Sequence, residues 1–119
     1  NLFIVGPTQG ANLISNIPHN LVESGETIAA IIDHALVTGA QEVEVTAEAE
    51  AAWIERLEAG QRMFGGNLDC TPGYYNNEGQ DAGRKGFRNR LGFPEGPVAY
   101  FRYIDEWRSS GEFTGLEFR

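Results

Sequence analysis

The strongest structural signal in the chain is the apolar run at residues 2–5, which is followed at once by Gly6 and Pro7. A short, wholly apolar run that ends in Gly-Pro is typical of a buried strand in a parallel α/β sheet. The next strand candidate is only the weak run Val43–Val45. A lone strand leaves its backbone N–H and C=O groups unpaired. The run therefore predicts an α/β fragment whose neighbouring strands lie upstream of this sequence.

Residues 16–38 predict a first helix. Asn16 is a good N-cap residue, Pro18 suits a first turn in which its missing N–H is no loss, and Gly39 suits the C-cap. Apolar residues recur within this segment at helical spacing and predict its packing face. They are Leu21, Ile28, Ile32 and Ala35.

A second helix is predicted after the Val43–Val45 run, beginning from the N-cap residue Thr46. The residues that follow, 47–58, are rich in alanine and glutamate, which are strong helix formers. Trp53 and Leu57 lie four residues apart and therefore share one face, which we expect to pack against the core.

Helical periodicity is absent from residues 65–96, which hold more than half of the chain's 15 glycines. Stretches of this length and composition are usually functional loops or disordered segments. Order returns at Pro97, where apolar residues at every third position predict a third, amphipathic helix. These residues are Val98, Phe101, Ile104 and Trp107. Asp105 and Glu106 beside Arg102 predict charge pairing on that helix, and residues 113–118 predict a short final strand.

The composition narrows the possible partners and setting. A net charge of −8 disfavours binding to nucleic acid or to an anionic membrane surface, since both require basic protein surface. No apolar run approaches the ~20 residues that span a bilayer. The single cysteine, Cys70, cannot form an internal disulfide, and no paired Cys or His spacing predicts a metal site. We therefore expect a cytoplasmic protein that binds neither nucleic acid, nor membrane, nor metal.

Residues 70–79 read Cys-Thr-Pro-Gly-Tyr-Tyr-Asn-Asn-Glu-Gly. This run resembles a signature near the C-terminus of one group of Baeyer–Villiger monooxygenases, which are flavin enzymes that use NADPH and O₂ to insert an oxygen atom beside a ketone carbonyl. Residues 1–17 resemble the last strand and the flavin-facing turn of that family's FAD domain. The resemblance implies the last strand of an FAD-binding Rossmann-like sheet, followed by two or three helices and a long glycine-rich loop.

The resemblance also implies two cofactor-binding regions, one for FAD and one for NADP. The FAD region is the turn and the first helix start, where free N–H groups and the positive helix dipole favour the negative charge of a reduced flavin. Its candidate residues are Gly6, Pro7, Ser15, Asn16, Ile17 and Asn20. The NADP region is the glycine-rich loop, with the candidate residues Pro72, Gly73, Tyr74 and Asn76. None of these side chains is a strong acid or base, so the sites predict binding and no catalytic residue.

The implied organisation has two parts. Residues 1–40 would be the C-terminal strand and helix of the FAD domain, and residues 41–119 a helical and loop extension that borders the NADP and substrate site. No Gly-X-Gly-X-X-Gly phosphate loop is present, so catalysis by this chain alone is not expected. The implied partners are a ketone, O₂ and the remainder of the FAD and NADP domains.

Two other functions fit the same residues. One is an N-hydroxylating or sulfoxidising flavin monooxygenase built on the same plan. The other is a non-catalytic helical interaction module.

Overall fold

The protein is described here by a computed structural model that covers residues 1–6, 9–11, 15–60, 71–73, 78, 80 and 91–119. Within these ranges it contains three helices and one antiparallel two-stranded sheet, which confirms the predicted number of helices. In chain order the elements are α1 (Ile17–Thr38), β1 (Val43–Val45), α2 (Ala47–Gly60), α3 (Pro97–Ser110) and β2 (Leu116–Phe118).

The helix ends follow the predicted caps. The Asn16 side chain accepts a hydrogen bond from the His19 amide at 3.3 Å, and Pro18 lies in the first turn of α1. Gly39 ends this helix in the left-handed conformation, with φ at 77°, and its N–H donates to the Ala35 carbonyl. The Thr46 hydroxyl likewise caps α2 by accepting from the Ala49 amide at 3.1 Å.

The two weak strand candidates pair with each other. Val43 lies opposite Phe118 and Val45 opposite Leu116, which places Glu44 directly opposite Glu117. Arg119 offsets this pairing of like charges, because its guanidinium lies 2.7 Å from Glu44 and 3.3 Å from Glu117.

The predicted buried strand at residues 2–5 is not confirmed. None of these residues is in a strand, and the Leu2 and Ile4 side chains are 85% and 88% exposed. The physical reason is a missing neighbour: among the described residues, the only sheet is the β1–β2 pair. Of residues 1–6, only Asn1 is hydrogen-bonded to this sheet. Its side-chain oxygen accepts from the Val43 amide at 2.9 Å.

The packing face of α1 differs from the predicted stripe. Ile31 is buried, at 6% exposure, whereas Leu21 and Ile32 of the predicted stripe are about half exposed. The face of α1 that meets α3 instead carries Glu23 and Thr27. Ile28 and Ala35 of the stripe are half-buried, so the described residues cover the predicted face only in part.

The end of the glycine-rich stretch belongs to the core. Leu91 is fully buried, as is Leu57 of α2, and Phe93 is 2% exposed. A Cβ atom added at Gly60 would lie 2.4 Å from the side chain of Pro94, so the end of α2 abuts this segment directly. Residues 91–96 therefore pack into the core although they were predicted as part of the aperiodic stretch, because a short apolar run without periodicity carries no helix signal.

None of the described helices is long and apolar enough to cross a membrane. The same residues contain no cluster of three side chains suited to hold a metal ion.

Candidate functional site

Two segments that are far apart in sequence are joined by a pair of backbone hydrogen bonds. The Gln9 amide donates to the Leu91 carbonyl at 2.9 Å, and the Phe93 amide donates to the Gly10 carbonyl at 2.9 Å. Residues 9–11 belong to the turn predicted to face FAD, whereas residues 91–93 end the glycine-rich stretch. We call this pairing the 9–11/91–93 bridge. It connects the two candidate cofactor regions through the backbone.

Aromatic rings support the bridge from the side of α3. The Tyr100 ring lies 5.6 Å from the rings of Phe93 and Phe101, in edge-on geometry in both cases. Burial raises the pKa of the Tyr100 hydroxyl, and the negative charge of Glu23 raises it further. The hydroxyl therefore stays protonated at neutral pH.

The opposite side of Phe93 is covered by α2 and α3. The rings of Trp53 and Tyr103 lie 5.8 and 5.6 Å from Phe93. The Arg56 guanidinium stacks over Phe93 at 4.3 Å and lies 3.0 Å from Glu95. Residues 91–96 are thus held by apolar, cation–π and ionic contacts. The packing of this segment was not predicted, and its only signal in the sequence is the apolar pair Leu91 and Phe93 amid polar residues.

Four of the predicted FAD-binding residues come together at the start of α1. The Asn16 and Ile17 side chains are exposed, while Asn20 is buried at 7% exposure. The Asn20 amide group donates to the Ser15 hydroxyl at 2.8 Å and so holds Ser15 in place. Gly6 is exposed, and Pro7 lies outside the described residues.

The start of α1 is suited to an electron-rich group. Pro18 has no N–H, and the His19 N–H is already bonded to Asn16. The N–H groups of Asn16 and Ile17 find no acceptor among the described residues. Together with the positive end of the helix dipole, they fit the edge of a reduced flavin ring or another anionic group.

Part of the predicted NADP region can be located. Pro72 is exposed, and the Gly73 carbonyl accepts from the Glu78 amide at 2.9 Å. A Cβ atom added at Gly73 would lie 3.9 Å from the Thr71 carbonyl, which is an ordinary contact. Tyr74, Asn76 and Cys70 lie outside the described residues.

A charged contact between α1 and α3 lies about two turns from the α1 start. The Arg108 guanidinium is 3.3 Å from Glu23, 3.4 Å from Glu26 and 3.1 Å from Asp105. The predicted charge pairing on α3 is therefore present at Asp105, but its partner is Arg108 instead of Arg102. The three-residue spacing of Asp105 and Arg108 was the available signal.

Comparison with known proteins shows similarity along the whole chain. No family model matches. An FAD-binding monooxygenase of Hypomyces subiculosus is 34% identical over 98% of this chain and 19% of the relative. Baeyer–Villiger monooxygenase 4 of a Dietzia species is 32% identical over 99% of this chain and 19% of the relative. The chain belongs to the Baeyer–Villiger flavin monooxygenase family. It spans about a fifth of the length of the curated relatives that it matches.

Part of a solved monooxygenase structure has a similar fold. The structure of the polycyclic ketone monooxygenase from the thermophilic fungus Thermothelomyces thermophila matches with a TM-score of 0.62 and 25% identity. The match covers 87% of this chain and 17% of the other. The family membership indicated by residues 70–79 is thereby confirmed, and the similarity extends well beyond that run.

Proposed function

We propose that the chain is the C-terminal part of an FAD- and NADPH-dependent Baeyer–Villiger monooxygenase. The whole enzyme would insert one atom of O₂ beside a ketone carbonyl to give an ester or lactone, while the other atom leaves as water and NADPH becomes NADP⁺. The observation that carries this proposal is the similarity to monooxygenases over 98% and 99% of the chain.

The start of α1 would border FAD. When bound, FAD supplies the electrons that activate O₂, and NADPH renews them. The Ile17 N–H and the helix dipole would favour negative charge on the reduced ring, while Asn20 would hold Ser15 in position. The residues assigned to this site are Gly6, Pro7, Ser15, Asn16, Ile17 and Asn20.

The glycine-rich stretch would border NADP and the ketone. The 9–11/91–93 bridge supports this assignment, because it ties the end of that stretch to the turn assigned to FAD. Asn76 offers an amide for hydrogen bonding, and Tyr74 a ring and a hydroxyl. The residues assigned to this site are Pro72, Gly73, Tyr74 and Asn76. We assign no catalytic acid or base to the chain.

The remainder of the FAD and NADP domains would cover the exposed apolar surface. Leu36 and Val37 at the end of α1 are 73% and 87% exposed, and residues 2–5 are exposed as well. Exposed apolar surface of this kind marks an interaction site. In this arrangement residues 1–40 complete the FAD domain, and residues 41–119 form the extension beside the NADP and substrate site. We place the enzyme in the cytoplasm, with no nucleic-acid, membrane or metal partner.

Product analysis tests the reaction. The full-length enzyme that contains this chain is incubated with FAD, NADPH, ¹⁸O₂ and a cyclic ketone, and in parallel with a sulfide and an amine. We expect a lactone that carries one labelled oxygen atom. If a sulfoxide or a hydroxylamine forms and no lactone does, the enzyme belongs to the sulfoxidising or N-hydroxylating class. If the protein binds no FAD, the non-catalytic interaction module is the better assignment.

A substitution at Gly73 tests the loop assignment. Because no described atom lies closer than 3.9 Å to a Cβ atom added there, we expect Gly73→Ala to disturb mainly a close approach of a cofactor. We expect more H₂O₂ released per NADPH oxidised, with unchanged FAD content. Gly25→Ala is the matched control, since an added Cβ at Gly25 meets no atom within 4 Å. Loss of FAD together with normal NADPH coupling contradicts the assignment.

A further inference from the structure

Glycine is required at residue 10 because of the neighbouring Tyr100 ring, and not because of its backbone conformation. Its φ lies outside the left-handed region, so alanine could adopt the same backbone conformation. A Cβ atom added there would nevertheless lie 2.9 Å from Cζ of Tyr100 and 3.0 Å from its hydroxyl oxygen. These distances are shorter than van der Waals contact. The tip of the Tyr100 ring therefore rests directly on the turn.

The Tyr100 ring has little freedom to move away. Phe93 and Phe101 pack against it, each with a ring centroid 5.6 Å distant. The Tyr100 amide also donates to the Gly96 carbonyl at 3.0 Å, which fixes the first turn of α3. A methyl group at residue 10 would thus have to displace either the ring or the turn.

The contact lies at the 9–11/91–93 bridge. The Gly10 carbonyl accepts the hydrogen bond from Phe93, and Phe93 is itself a packing neighbour of Tyr100. The turn, the end of the glycine-rich stretch and α3 therefore meet at one point. A change in the distance between the Tyr100 ring and Gly10 would therefore shift the position of the turn.

We propose that Tyr100 is a positioning residue, whose ring over Gly10 sets how closely the turn approaches FAD. The proposal rests on the proposed function, in which this turn borders the flavin. It assigns no contact between Tyr100 and the cofactor. Since the turn leads into the start of α1, its position would set the distance between the flavin and the exposed N–H groups there.

A double-mutant cycle in the full-length holoenzyme tests the contact. The variants are Gly10→Ala, Tyr100→Leu and their combination, with Gly25→Ala as the matched glycine control. The measurement is the FAD midpoint potential, taken with FAD content and melting temperature. We expect Gly10→Ala to change the relative affinity for reduced and oxidised FAD about tenfold, which is ~30 mV for a two-electron couple. Gly25→Ala should leave the potential unchanged.

The combination decides between positioning and general destabilisation. With leucine at residue 100 the methyl group at residue 10 meets no ring, so the potential of the combination should equal that of Tyr100→Leu alone. Additive shifts, or a wild-type potential in Gly10→Ala, overturn the proposal while leaving the FAD site intact. Wild-type protein that binds no FAD overturns the proposed function and this inference together.

If Gly10→Ala loses its FAD, a second pair of variants tests the proposal instead. Tyr100→Phe keeps the ring over Gly10, whereas Tyr100→Leu removes it. The potential should shift in the leucine variant and stay near wild type in the phenylalanine variant. Equal potentials in the two variants overturn the positioning role.

Discussion

The inner face of α1, which meets α3, carries polar side chains, whereas much of its outer face is apolar and exposed. Glu23 and Thr27 bond to Arg108 on the inner face. Ile31 of the same helix is buried and lines a cavity together with residues of the β1–β2 sheet. The exposed apolar side chains of the helix are Ile17, Leu21, Val22, Ile32, Leu36 and Val37. A helix of a free-standing soluble domain normally turns its apolar stripe inward. The difference supports the proposal that the outer face of α1 meets the remainder of the enzyme.

Truncating one apolar residue on each face gives the largest expected contrast. Ile31→Ala should lower the free energy of unfolding of the 119-residue chain by about 3 kcal/mol, because it removes buried methyl groups and leaves a cavity. Leu36→Ala, at an exposed position, should change it by less than about 0.5 kcal/mol. Urea unfolding followed by circular dichroism measures both. Equal losses of stability in the two variants would mean that the inner face is not more buried than the outer face.

Removing the inner-face cation gives a smaller effect. Arg108→Met should cost about 2 kcal/mol, since it leaves the partly buried Glu23 carboxylate without this charged partner. Arg102→Met is the control, because Arg102 is exposed on the same helix. Urea unfolding at low and high salt measures the change. If Arg108→Met and Arg102→Met unfold at the same urea concentration, polar bonding does not hold the inner face.

The smallest effect is expected from the pH dependence of Tyr100, whose pKa is raised first by burial and then by the inner-face Glu23. The folded state holds the phenolic proton more tightly than the unfolded state. The resulting stability is fully present below the unfolded pKa of 10.0 and is lost as pH rises through the folded pKa. Tyr100→Phe should therefore reduce the alkaline loss of stability. Urea midpoints between about pH 8 and about pH 11 test this, with Tyr103→Phe as the control. An unchanged alkaline slope in Tyr100→Phe contradicts it.

The elements were predictable where local chemistry decides them. Asn16, Pro18 and Gly39 set the ends of α1 by capping and by backbone preference, which require no tertiary information. The packing face of α1 was predictable only in part, because Ile28 and Ala35 are half-buried whereas Leu21 and Ile32 of the same stripe are exposed. Residues 2–5 carry a strong strand signal but have no partner strand among the described residues.

The candidate site was likewise predictable only where neighbouring residues decide its structure. Ser15, Asn16 and Asn20 are neighbours in sequence, so a capped helix start was enough to group them. The contact of Gly10 with Tyr100, and the pairing of Gly10 with Phe93, join distant segments for which the sequence has no period or motif. Long-range contacts of this kind follow only from the packed structure. Tyr74 and Asn76 lie outside the described residues and stay predictions.

The close approach of Gly60 to Pro94 has a mechanical consequence. Gly60, the last residue of α2, has no side chain, so its backbone lies directly against the Pro94 ring. Movement of Gly60 towards Pro94 would therefore push the proline ring, and Arg56 ties the same helix to Glu95. We therefore expect helix α2 and residues 91–96 to move together. If residues 91–93 separate from the turn, this helix should move with them.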